Sequence, residues 1–239
     1  MLDVRNLRKT FGSFTAVKDV SFSVQQGEIL GLIGPNGSGK STTFGCLAGM
    51  LVPTAGSVTF SGQDITGMSP ASVCRLGVAR TFQIPRPFEK LSVLENVAVA
   101  AYYGSKDRIS RRRAFTLAEE ALDLVGLQVD STTTTVGLGA AALKKIELAR
   151  ALATQPTLLL ADESLGGLDA VEIEQAADML AALRDKTGMT IVWVEHIMGV
   201  LMRIVDRLIV LDRGEVVVSG PPAQVAADPK IGEIYFGDA

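Results

Sequence analysis

Apolar and polar residues along this chain follow a two-residue period at first, a helical period next, and finally an alternation of the two. Up to residue 33 the pattern is strand-like. "LDVRNLRKTF" is followed by "AVKDVSFSV", whose apolar and polar positions alternate, and then by "GEILGLI". A glycine-rich turn leads into "KSTTFGCLAGM", which reads as a helix, and "GSVTFSGQDI" reads as a short strand pair. From about Glu89 to Arg150 the spacing is helical. "SVLENVAVAAYY" and "RRRAFTLAEEALDLVGL" repeat apolar residues at three and four, with Phe115, Ala118, Leu122 and Val125 on one stripe, and "KKIELARALA" is also helix-like. From Thr157 onward "TLLLADE", "AVEIEQAADMLAALRDK", "MTIVWVEH", "RLIVLDRG" and "EVVVSG" alternate strand and helix, the mark of an α/β fold with a parallel sheet. Unbroken apolar blocks such as "TLLLA" and "TIVWV" have strand length and suit a sheet covered on both faces.

The chain has 239 residues, enough for one domain with a substantial core. With 23 basic and 26 acidic residues its net charge is -3, which gives no electrostatic case for a nucleic-acid partner. Mean hydropathy is +0.29. No apolar run approaches the roughly 18–20 residues a helix needs to cross a bilayer. The opening "MLDVRNLRKTF" lacks the apolar core of a signal peptide, so a cytosolic chain is expected. Cys46 and Cys74 match no metal-ligand spacing and read as reduced, structural thiols.

Candidate chemistry begins at "GPNGSGKST", which comprises Gly34, Pro35, Asn36, Gly37, Ser38, Gly39, Lys40, Ser41 and Thr42. It satisfies G-x-x-x-x-G-K-[ST] between a predicted strand and a predicted helix. Glycines let the backbone fold closely around phosphate oxygens. Successive N–H groups and the positive end of the following helix then face the anion. Lys40 is placed to reach the β- and γ-phosphates, and Ser41 to hold Mg²⁺. Hydrolysis further needs a metal carboxylate and a means of activating water. "TLLLADE" supplies Asp162 and Glu163 at a strand end, where open α/β sheets place their ligands. Asp162 is expected to hold Mg²⁺, directly or through water, and Glu163 to orient or deprotonate the attacking water. The single histidine, His196, follows the strand "TIVWV"; an isolated histidine more often packs than reacts. Trp193 reads as core.

Together these stretches resemble the nucleotide-binding subunits of ABC transporters over nearly the whole chain. The resemblance implies a P-loop ATPase fold with a parallel-sheet core, an antiparallel β lobe and an α-helical lobe. On that pattern residues 1–239 form one domain: β lobe and P-loop core over about 1–88, helical lobe over about 89–150, second half of the core and tail over 151–239. It implies ATP and Mg²⁺ as ligands, Phe11 in "KTFGSFTAV" stacked on adenine, and Gln83 in "ARTFQ" touching Mg²⁺ and water. It also implies His196 as a switch toward the γ-phosphate and Asp169 in "ESLGGLD" at the contact between two subunits. "ARTFQIPRPFEKLSVLENVAVA", "IELARALATQP" and the ending "VVVSGPPAQVAADPKIGEIYFGDA" look like the ATPases of branched-chain amino-acid importers, a pattern shared in part with subunits for urea, amides or lipopolysaccharide. The implied partners are membrane permeases, a second ATP-binding subunit, with a heterodimer favoured over a homodimer, and indirectly a periplasmic or extracellular solute-binding protein. The implied place is the cytoplasmic face of a bacterial or archaeal inner membrane.

The family signature, usually L-S-G-G-Q, aligns here with Leu138, Gly139, Ala140, Ala141 and Ala142. The serine hydroxyl and the glutamine are missing, while backbone N–H groups and the positive end of the next helix remain. Three readings stand: a weakened but working signature, a half-site that does not support hydrolysis, or a different alignment. The basic cluster Lys106, Arg108, Arg111, Arg112 and Arg113 reads as a solvated helix start, or else as a face toward lipid headgroups. A non-transport ABC ATPase would bring a second cassette, a coiled-coil arm or zinc cysteines. A GTPase would bring an N-K-x-D motif. A nucleotide-gated subunit with little hydrolysis is a further alternative.

Overall fold

The computed structural model describes residues 1–162 and 166–236, so Glu163 lies outside the described residues. Strands β1 (Leu2–Phe11), β2 (Phe14–Val24) and β3 (Ile29–Ile33) come first, then helix α1 (Lys40–Leu47). Next are β4 (Ala55–Phe60), β5 (Gln63–Asp64), α2 (Pro70–Arg75) and β6 (Val78–Arg80). Three helices follow, α3 (Val93–Gly104), α4 (Arg111–Leu124) and α5 (Ala140–Leu152). The remainder alternates: β7 (Leu158–Asp162), α6 (Ala170–Thr187), β8 (Thr190–Val194), α7 (Met198–Ile204), β9 (Arg207–Asp212), β10 (Glu215–Gly220), α8 (Pro222–Ala226) and α9 (Pro229–Phe236).

The strands form one 10-stranded sheet in the order β5-β4-β1-β2-β10-β9-β3-β8-β7-β6. β9, β3, β8, β7 and β6 pair in parallel, whereas β2, β1, β4 and β5 pair antiparallel. The unbroken apolar runs have a simple cause. Along β3, β7, β8 and β9 alternate residues enter two different cores. Ile29, Ile33, Leu159, Ile191, Trp193, Leu208 and Val210 pack with α3–α7 on one face. Leu30, Leu32, Leu158, Leu160, Val192, Val194, Ile209 and Leu211 pack with α1 and the antiparallel strands on the other. Each fully buried Ile, Leu or Val contributes roughly 1.5–3 kcal/mol, so neither face tolerates a polar residue without a partner.

Helix starts follow their capping residues. Ser92 and Glu95 form a capping box on α3, and Ser110 caps α4. The apolar stripe of α4 is wider than the four residues read from the sequence. Ala114, Leu117, Ala118, Ala121 and Leu122 are buried, and Phe115 is only partly so, beneath the Arg111 guanidinium. Strand β6 escaped sequence reading because three residues carry no period. Its pairing with β7, Arg80 opposite Leu160, is what makes it a strand. Trp193 is fully buried, as expected for core. Among the described residues no helix is long and apolar enough to cross a membrane.

Candidate active site

The parallel register sets out the site. Leu32 lies beside Val194 and Val194 beside Asp162, while Arg80, the last residue of β6, lies beside Leu160, two residues before Asp162. Neighbouring strands are about 4.8 Å apart, so the end of β3 and Asp162 are separated by about 10 Å. The loop after β3, the His196 segment, Asp162 and Arg80 therefore share one edge of the sheet.

The loop from Gly34 to Gly39 joins β3 to α1. Gly34 and Gly39 hold φ of 148° and 105°, and both are crowded. A Cβ on Gly34 would meet the Leu211 carbonyl at 2.1 Å, and one on Gly39 would meet the Ala16 carbonyl at 2.8 Å. Glycine is required at both positions by conformation and by space. Lys40 is buried and donates from Nζ to the carbonyls of Gly34 at 2.7 Å and Pro35 at 3.0 Å. Its charge therefore sits inside the loop and braces it. Helix α1 has no side-chain cap, which leaves its first-turn N–H groups for an anion. The Ser38 hydroxyl is buried with no hydrogen-bond partner among the described residues, a further donor facing inward in the same loop. Pro35 and Thr42 are half-buried, and Asn36, Gly37 and Ser41 are exposed. These features fit a phosphate group.

Phe11 ends β1 opposite Phe14 and is 45% exposed, with Lys9 Nζ 5.0 Å above its ring. The same hairpin touches the loop, since Ala16 lies against Gly39. Ser41 and Asp162 offer a hydroxyl and a carboxylate, hard oxygen donors of the kind Mg²⁺ completes with water and phosphate oxygens. Among the described residues no group of three His, Cys, Asp or Glu gathers to hold an ion without such help. Asp162 is buried, and Arg80 donates to its Oδ2 at 2.5 Å. His196 is exposed, with Nδ1 3.8 Å from the carboxylate of Glu195, a buried acid that sequence reading passed over.

Gln83 is exposed at the start of an irregular segment that helix α5 holds by three side chains. Lys144 Nζ donates to the Gln83 carbonyl at 2.5 Å. The Glu147 carboxylate accepts from the Phe82 N–H and pairs with Arg150 at 3.2 Å. Arg150 donates to the Arg86 carbonyl at 3.0 Å and lies 5.3 Å over the Phe88 ring. Burial raises the Glu147 carboxyl above its ordinary range, against the pull of Arg150, the Phe82 amide and Lys144. Sequence reading missed these three residues. Their i, i+3, i+6 spacing on a helix with an otherwise apolar face was the available signal.

Helix α5 also carries the signature-like residues. Gly139 is its N-cap, without a side-chain bond, and Ala140, Ala141 and Ala142 form the first turn. Leu138 is half-buried and packs against the core. Asp169 is the N-cap of α6, accepting from the N–H groups of Val171 and Glu172 at 2.9 Å each.

Residues 17–166 match the ABC transporter family model. The high-affinity branched-chain amino acid transport ATP-binding protein LivG of Salmonella typhimurium is 33% identical over 251 aligned positions, covering 100% of this chain and 98% of LivG. The fold superposes with a TM-score of 0.89 on the ADP conformation of MJ1267, an ATP-binding cassette of an ABC transporter, at 30% identity and over 100% and 99% of the two chains. It superposes with a TM-score of 0.83 on the dimeric post-hydrolysis state of the cassette MJ0796 bound to ADP and Pi, at 26% identity and over 93% and 99%. The chain therefore belongs to the ABC transporter family, as an ATP-binding subunit with ATPase activity.

Proposed function

We propose that this subunit powers the import of branched-chain amino acids, or of a similar small polar solute, from the cytoplasmic face of the inner membrane. The observation that carries the reading is the end-to-end likeness to LivG. It extends past residues 17–166 into the tail "VVVSGPPAQVAADPKIGEIYFGDA". In this reading Phe11 stacks on adenine, the amides from Gly34 to Thr42 cradle the phosphates, and Lys40 turns from the loop carbonyls toward the β- and γ-phosphates. Ser41 and Asp162 would hold Mg²⁺, which would offset phosphate charge, and Gln83 would contact that metal and water. Glu163 orients or deprotonates the attacking water, and His196 contacts the γ-phosphate. A second, different ATP-binding subunit completes each site, with Asp169 and the residues from Leu138 to Ala142 at the contact.

Membrane permeases are expected at the groove beside β6 and α5, a cavity of about 210 Å³ lined by Met50, Cys74, Phe82, Glu147 and Arg150. The neighbouring Ile84 and Phe88 are exposed. A short permease helix seated there moves with the two subunits as ATP draws them together, a ligand-biased equilibrium between two states. A solute-binding protein delivers cargo from the other side. The test is ATP hydrolysis by the purified complex with its binding protein present. Leucine, isoleucine or valine is expected to stimulate turnover, and Lys40→Ala to abolish it. Stimulation by an unrelated solute alone would replace the cargo assignment.

A further inference from the structure

Arg80 has no part in the reading above, yet it holds the carboxylate on which that reading depends. The pair is enclosed: the side chains of Arg80 and Asp162 are 13% and 9% exposed. Among the described residues Arg80 has no other carboxylate partner, and its Nε is buried without a hydrogen bond. The rest of its guanidinium rests on soft surfaces. Its Cζ lies 5.2 Å from the Phe82 ring centre and 5.9 Å from that of Phe44, and Nη1 lies 3.2 Å from the Met50 sulfur. A buried guanidinium with one charged partner is held there by that partner. The strand ends are also tied to each other. The Asp162 N–H donates to Thr81 Oγ1 at 3.3 Å, and the Thr81 N–H to the Leu160 carbonyl at 3.0 Å. The backbones of both strand ends are thus fixed, and of the two paired side chains the arginine has the longer stem on which to shift.

Two cations that both need Asp162 compete for it. A guanidinium on Oδ2 repels a divalent ion arriving at the same carboxylate, most strongly where little water screens them. We propose that Arg80 is the resting counter-ion of Asp162. It neutralises the carboxylate while no metal is bound, and it yields toward Phe82 when Mg²⁺ arrives with nucleotide. This rests on the reading of Asp162 as a metal carboxylate. It adds a positioning residue that lowers metal affinity and that reports metal arrival to the segment carrying Phe82 and Gln83, which α5 grips through Glu147 and Lys144.

The test is metal affinity, measured by titrating Mn²⁺ or Mg²⁺ into the full chain with saturating ADP, so that turnover plays no part. Arg80→Met keeps the stem and removes the charge. It is expected to bind metal about tenfold more tightly than wild type, and to melt lower without metal but level with wild type in Mg²⁺ and ADP. Arg80→Lys, with a compact ammonium in place of the planar fork, is expected to fall between the two; it serves if the Met variant does not fold. Affinity equal to or weaker than wild type in both variants overturns the proposal. Asp162→Asn separates the two layers. If it weakens metal binding while the Arg80 variants do not strengthen it, only the counter-ion role fails. If it leaves metal binding unchanged, the metal assignment itself fails.

Discussion

At the residue scale the most informative position is Gly139. It has an extended backbone, φ −69° and ψ 167°, and a Cβ there would meet nothing within 4 Å. No steric reason excludes the serine that the family signature usually carries. Gly139→Ser would restore a hydroxyl able to bond a charged phosphate across a subunit contact, worth about 1.5–3 kcal/mol. The expected gain is roughly ten- to hundredfold in ATP-driven association with the partner subunit. The serine would also cap α5, adding a few tenths of a kcal/mol to stability. Association measured by analytical ultracentrifugation with ATP separates the readings of this loop. A large gain marks a weakened but working signature. A gain in melting temperature alone marks a helix cap that never meets nucleotide.

At the element scale α5 joins two parts of the proposed site that are far apart in sequence. Its first turn holds Ala140–Ala142, and its next turns hold Lys144, Glu147 and Arg150, which bind the segment from Phe82 to Phe88. A movement of α5 therefore carries that segment with it. Arg150→Ala removes the Arg86 and Phe88 contacts and leaves the buried Glu147 carboxylate without its paired guanidinium, with only the Phe82 amide and the Lys144 charge to offset burial. The expected loss is about 3 kcal/mol at neutral pH, the low end for breaking a buried pair. The pH dependence has a definite sign. A carboxyl whose folded pKa lies above its unfolded value binds protons more tightly when folded, so protonation stabilises the fold. Glu147 is already raised above 4.5 by burial, and loss of Arg150 raises it further. The deficit of the variant is therefore expected to shrink as pH falls from neutrality through the raised value toward 4.5. Denaturant melts of variant and wild type across that range check it; a deficit that widens on acidification removes Glu147 as the cause.

At the scale of the whole molecule the proposed heterodimer implies asymmetry. In that pairing ATP on this P-loop would meet the partner's signature, while the partner's ATP would meet Gly139–Ala142. A site completed by a full signature is expected to turn over faster than one completed by a glycine and three alanines. Glu163→Gln in this chain is then expected to cost most of the ATPase activity of the mixed assembly, and the matching change in the partner clearly less. Equal losses from the two single variants would remove the asymmetry.

The linear chain determined the class of fold and singled out the candidate chemistry. "GPNGSGKST" and "TLLLADE" are local signals, because a phosphate loop is made by contiguous amides and glycines and an acidic strand end by neighbouring residues. The double-sided core was legible too, since burial on both faces leaves no alternation to interrupt an apolar run. Tertiary structure decided whatever depends on distant segments meeting. β6 is a strand only because β7 lies beside it, and Arg80 becomes a partner of Asp162 only through that pairing across 82 positions. The hold of Lys144, Glu147 and Arg150 on residues 82–88 likewise requires the sheet to bring α5 over that segment. Periodicity records which face of an element is covered, whereas the identity of what covers it is set by strand order, and strand order leaves no local mark on the chain.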